Sequence, residues 1–175
     1  MSRSLETVLL VGLAIMLNRP ECRRESDTRP REAPQVDATI ELTGSGLGKP
    51  TTFSFARLAG MKMAKLDNVL MRKSHEDDET TSWQGPALES LLAAARLKPG
   101  AMTVTLEADD GYEVEATLDD LKDAVVALKD GEGRWLADVG KGCKLTLVPP
   151  HKPGNFWIVN LSRITVEPAA GAGSA

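Results

Sequence analysis

The sequence predicts an α+β domain, a mixed and mostly β sheet with two or three short helices, over residues 37–167. Three observations lead there. Short apolar–polar alternations recur between clusters of Gly, Pro and Asp, the period of half-buried strands. One segment, Pro86 to Ala95, carries apolar residues at helical spacing over two turns. No long helix alternates with the strands, which excludes a regular βαβ repeat.

Taken in order, Ala38 to Leu42 alternates and reads as a strand. Gly44, Gly46 and Gly48 punctuate a loop whose spacing is not that of a phosphate-binding fingerprint. Thr51 to Phe53 is a second strand, and the Ser54 hydroxyl is placed to cap the short helix FARLAGM. Met63 to Met71 reads as extended and leads into a polar loop, KSHEDDETTS. Trp83 ends a strand-like segment, Gly85 reads as a corner, and Pro86 suits the first helical position, where its missing N–H is not needed. Leu88, Leu91, Leu92 and Ala95 then form one apolar helix face, stopped by Lys98-Pro99-Gly100. Met102 to Leu106 and Tyr112 to Ala116 flank an Asp109-Asp110-Gly111 turn and predict a hairpin. Thr117 is placed to cap TLDDLKD as a third helix. Ala124 to Leu128, Leu145 to Val148, Phe156 to Val159 and Arg163 to Val166 supply the remaining strands, with a turn at Asp130 to Gly133.

The flanks read differently. Val8 to Leu17, VLLVGLAIML, is too short to span a bilayer, which takes about 20 residues. It matches the hydrophobic centre of a secretory signal, with Arg3 before it. Residues 1–17 are therefore expected to be a signal or anchor-like segment, serving export or membrane tethering, with an apolar N-terminal extension as the alternative. Asn18 to Val36, rich in Pro and mixed charge, reads as a linker, and residues 168–175 as a small-residue tail. The expected location is periplasmic or extracellular, with a protein partner in the cell envelope.

Composition excludes several classes. The 175 residues carry 21 Lys plus Arg against 25 Asp plus Glu, a formal charge of -4, so no basic face argues for nucleic acid. Two cysteines, Cys22 and Cys143, give neither a disulfide framework nor a Cys-x-x-Cys zinc pattern. Cys143 reads first as a small buried residue, with a relocated metal ligand as the alternative. His75 to Glu79 reads as a solvated acidic loop rather than a calcium loop, which spaces its ligands alternately around a glycine. Ser74, His75 and Asp77 match a triad in composition only, since triads are assembled from distant segments. His151 reads as an exposed loop residue.

Four pieces in order carry a family resemblance. They are Ile40–Gly60, Ser82–Ala101 with its Trp-x-Gly and Leu-rich helix, Leu106–Leu121 with its Asp-Gly-Tyr hairpin, and Gly142–Val166 with its Leu-Val-Pro, aromatic and Ile-x-Val strands. Over most of Ala38 to Val166 the chain resembles the oxidoreductase molybdopterin-binding domain of the sulfite oxidase family. That resemblance implies a fold built to hold molybdopterin, with molybdenum bound by one cysteine thiolate just before the Trp-x-Gly helix. Here the zone is Leu66 to Lys73, and it contains no Cys. The family's His-Gly before the closing strands is replaced by Lys141-Gly142. The resemblance thus names molybdopterin as the cofactor, and the missing thiolate argues against its retention. By the same resemblance Asn155, Phe156 and Trp157 are candidates to line a groove at the pocket, with aromatic core and loop packing as the favoured alternative. Arg72, Lys73 and Lys144 are candidate contacts to an anionic group such as a phosphate, with surface solvation the commoner explanation for each. No residue is assigned a catalytic or metal-binding role. The expected function is a sulfite-oxidase-like binding or accessory domain. The alternatives are an oxidoreductase that keeps the cofactor without a cysteine and a structural cell-envelope module.

Overall fold

The computed structural model describes residues 32–72, 77–100 and 102–169. Eleven strands, three short helices and one 3₁₀ turn are found among them. The largest sheet runs β2 (Thr51–Ser54), β1 (Thr39–Thr43), β11 (Leu161–Pro168), β5 (Met102–Ala108), β6 (Glu113–Thr117). β1 pairs parallel with β11, and the other neighbours in this sheet are antiparallel. The alternation read in the sequence maps onto its two faces. Ile40, Leu42, Val104, Leu106, Ile164 and Val166 are fully buried on the inner face. The outer face is polar and lays Arg163 between Glu41 and Glu107 at 3.4 and 2.9 Å. A sheet with one wet face tolerates this arrangement at little energetic consequence.

Two helices close the core. In α1 (Phe55–Ala59) the Ser54 Oγ accepts from the Arg57 N–H at 3.3 Å, the cap expected from the sequence, and Phe55 and Leu58 point inward. In α2 (Leu88–Ala94) Leu88, Leu91 and Leu92 are buried, and Ala95 follows as a buried C-cap. Burying each such leucine contributes about 1.5–3 kcal/mol.

The second sheet is β3 (Met63–Met71), β4 (Glu79–Pro86), β8 (Lys129–Asp130), and the third is β10 (Ile158–Val159), β9 (Thr146–Val148), β7 (Val125–Ala127). β3 and β4 form an arm that shifts register between Leu66 and Val69, where Asn68 takes a φ of 54°. Asn adopts this left-handed conformation more readily than most residues. A separate apolar cluster of Val69, Ala127, Leu136, Val148 and Trp157 lies against Leu66, Met71, Trp83 and Cys143.

Several sequence expectations are corrected. The polar loop is shorter than read, because Glu79 to Ser82 belongs to β4, and Glu79, Thr80 and Thr81 pair with Met71, Leu70 and Val69 of β3. Gly85 is not a corner. It lies inside β4 opposite Ala64, and a Cβ there would sit 1.9 Å from the Val126 carbonyl oxygen. Pro86 closes the strand opposite Met63, and α2 begins at Leu88. TLDDLKD forms turns rather than a helix. Its cap is made in both directions, Asp120 N–H to Thr117 Oγ1 at 3.2 Å and Thr117 N–H to Asp120 Oδ2 at 3.0 Å, but Asp123 at φ 59° ends the coil. The third helix is instead α3 (Leu136–Val139).

The flank readings meet the structure only at their inner ends. Ala33 and Val36, read as linker, pack on the core, and Pro168, read as tail, pairs with Met102 in the sheet. Val8 to Leu17 and Cys22 lie outside the described residues. Among the described residues no helix is long and apolar enough to cross a membrane.

Candidate functional site

The end of β3 is where the second sheet meets the loop that leaves β9. Chain direction brings them together: β3 runs out at Met71, β9 ends at Val148, and Pro149-Pro150 turns the chain back across. The Gly154 N–H donates to the Arg72 carbonyl at 3.0 Å and fixes the crossing. A Cβ on Gly154 would lie 3.1 Å from that oxygen and 3.3 Å from Met71 Cγ, so a side chain would crowd this approach. The resulting cleft, about 310 Å³, is lined by Leu70, Arg72, Pro150, His151, Lys152 and Pro153. That is at the small end for a small-molecule site.

Two side chains of the cleft wall have acidic neighbours. Lys152 Nζ meets Asp120 Oδ1 at 2.5 Å, and His151 Nε2 lies 3.4 Å from Asp123 Oδ2. The Lys152 ammonium, and then Thr117, hold the Asp120 carboxyl down at about 2 against an ordinary 3.8. A charge-assisted hydrogen bond to the ionised form is the physical cause.

The sequence candidates separate in space. Arg72 is exposed on the cleft wall. Asn155 is exposed beside it, and its carbonyl accepts from the Tyr112 hydroxyl at 2.9 Å. Trp157 is 6% exposed and packs edge-on against Trp83, ring centres 6.0 Å apart at 78°. Its indole N–H points to the Lys152 carbonyl at 3.4 Å, so the ring belongs to the second apolar cluster. Lys144 lines a different notch, about 190 Å³, with Asp37, Asp109 and Asn160. Its backbone N–H is taken by Asn160 Oδ1 at 2.7 Å. Lys73 lies outside the described residues, as do Ser74, His75 and Glu76.

Sequence reading missed Lys152 and Asp120. The signal was present but divided: an Asp in a capping position, and a lysine between prolines in PPHKPGNF. Nothing local says that the two meet.

Molybdenum held in the manner the resemblance implies calls for a thiolate, and the residues present do not fit it. The sulfur at the end of β3 is that of Met71, which packs on the second apolar cluster and is a neutral thioether with far less donor strength toward a charged metal centre. Cys143 is half-buried, with Sγ 3.1 Å from Thr146 Oγ1 and 3.7 Å from the Leu145 carbonyl. Burial pushes its thiol up and disfavours the thiolate, which outweighs the opposing Thr146 hydrogen bond. Among the described residues no group of three or more His, Cys, Asp or Glu side chains converges as a metal site.

Comparison with known proteins bears on the same region. No curated protein matches the sequence. The crystal structure of the sulfane dehydrogenase SoxCD from Paracoccus pantotrophus is similar in fold, with a TM-score of 0.62 at 17% identity. The likeness covers 78% of this chain and 40% of that one, so the chain spans less than half the length of that relative. The pattern of the family described as "Oxidoreductase molybdopterin binding domain" matches residues 31–173, from the linker's last residues through β11 and past it. On that match the chain belongs to the oxidoreductase molybdopterin-binding domain family.

Proposed function

We propose that this protein is a molybdopterin-fold domain that does not hold molybdenum and serves as a binding or accessory domain at the cell envelope. The observation that supports this reading is the donor set at the end of β3. Leu66 to Lys73 contains no cysteine, and the described thiol, Cys143, is held in its neutral form by burial. Without a thiolate the metal loses its tightest protein ligand. What remains is a polar cleft and a core of two apolar clusters, suited to contact rather than to redox chemistry. Export or tethering rests on Val8 to Leu17, whose length suits a signal or an anchor-like segment.

A second reading has one observation in its favour. Arg72 and Lys152 on the cleft wall are the kind of groups that contact an anionic pterin side chain. On that reading the domain keeps the cofactor through basic and backbone contacts and works as an oxidoreductase.

Full-length protein purified from a host that makes molybdopterin separates the two. Acid release of fluorescent pterin is expected to give none. Pterin at one per chain overturns the first reading and supports the second. Cell fractionation is expected to place the protein in the envelope fraction, and recovery only from the cytosol contradicts the location.

A further inference from the structure

The segment from Pro149 to Trp157 crosses from β9 to β10 over the end of β3. Its two ends are pinned by buried Val148 and Trp157. Between them, Phe156 packs on the main core, while Pro150 to Asn155 are all exposed or half-exposed, so little apolar burial holds those six residues down. Polar ties hold it instead. Lys152 reaches Asp120 with the two side chains only 27% and 31% exposed, whereas His151 and Asp123 are 66% and 58% exposed. The remaining ties are Gly154 N–H to the Arg72 carbonyl, the Tyr112 hydroxyl to the Asn155 carbonyl and the Trp157 indole N–H to the Lys152 carbonyl.

The Lys152 tie is the best organised of these. Asp120 is held by its reciprocal bonds with Thr117 as well as by Lys152. Lys152 is steadied by the Phe156 ring, with Nζ 5.1 Å from its centre. Prolines 149, 150 and 153 stiffen the segment, so it is built to move as a piece.

We propose that Pro150 to Asn155 is a strap latched by the Lys152–Asp120 ion pair. Releasing the latch lifts the strap locally and uncovers Met71 and the Trp157 indole, while the five-stranded sheet stays folded. Segments held by few apolar contacts open at a fraction of the global free energy. The motion belongs to this chain alone and needs no cofactor, so it stands or falls separately from the function proposed above.

Amide hydrogen exchange on the full chain tests it, comparing the wild type with Lys152→Met, which keeps the length of the side chain and removes the charge. The expected result is roughly three- to tenfold faster exchange at Gly154 and Trp157, with Val104 and Leu106 of β5 unchanged. Raising the salt concentration is expected to speed strap exchange in the wild type and to have no further effect in the variant. Unchanged exchange at the strap in Lys152→Met overturns the latch. Equal acceleration in the strap and in β5 overturns local opening.

Discussion

Replacing Gly85 by alanine should damage the fold more than any other single methyl group added to the second sheet. β4 passes β7 so closely that the new Cβ would lie 1.9 Å from the Val126 carbonyl oxygen and 2.7 Å from its carbon. Ordinary contact begins near 3.4 Å, so the strands must part by about 1.5 Å. The backbone bonds on either side cannot survive that displacement intact. Leu128 N–H donates to the Gln84 carbonyl at 2.9 Å, and Leu88 N–H to the Ala124 carbonyl at 2.9 Å. Overpacking costs about 1–3 kcal/mol and each weakened buried hydrogen bond about 1 more, giving about 3–5 kcal/mol. For a domain of this size that lowers Tm by roughly 6–20 °C. Thermal unfolding followed by circular dichroism measures it, with Gly60→Ala as the control. Gly60 has a φ of -84°, and a Cβ there meets only the Ala56 and Arg57 carbonyls at 3.6 Å, so that variant should melt close to the wild type. A Gly85→Ala protein melting within about 2 °C of the wild type refutes the close approach of β4 and β7.

Three other perturbations follow from the same geometry. Ser54→Ala removes the α1 cap and should cost about 1 kcal/mol in urea unfolding. Trp157→Ala should cost about 3–5 kcal/mol, and a double-mutant cycle with Trp83→Ala should return a coupling of about 1 kcal/mol, whereas a coupling of zero contradicts the edge-on pair. Asp120 has its carboxyl depressed to about 2, so its contribution is present above about pH 4 and is lost as the pH falls through 2. Solvent screening limits the effect to about 1 kcal/mol, and Asp120→Asn should flatten this part of the stability–pH curve.

The legible parts of the fold were those whose burial is periodic. Leu88, Leu91, Leu92 and Ala95 repeat at helical spacing, and Met102 to Ala108 alternates without a break, so α2 and the β5–β6 hairpin could be read directly. The outer half of β4 could not. Glu79 and Thr80 are exposed and Thr81 and Ser82 half-exposed, so no apolar alternation marks the strand. α3 has only four residues and no side-chain cap, below the length at which helical pattern carries information. TLDDLKD misled because its cap is real while its length is not, with Asp123 turning left-handed before a helix can propagate. Of the site, the exposure of Arg72 and the missing thiolate were visible in the sequence, since both depend on residue type at the end of one strand. The Lys152–Asp120 tie and the parallel pairing of β1 with β11 were not, because each joins segments far apart in the chain.

Elemental analysis for molybdenum, on full-length protein purified from a host that makes the cofactor, tests the central claim most directly. With Met71 at the strand end and Cys143 held as a neutral thiol, no molybdenum is expected above the buffer blank. A signal approaching one metal per chain would show that the site holds the metal without a cysteine and would contradict the account.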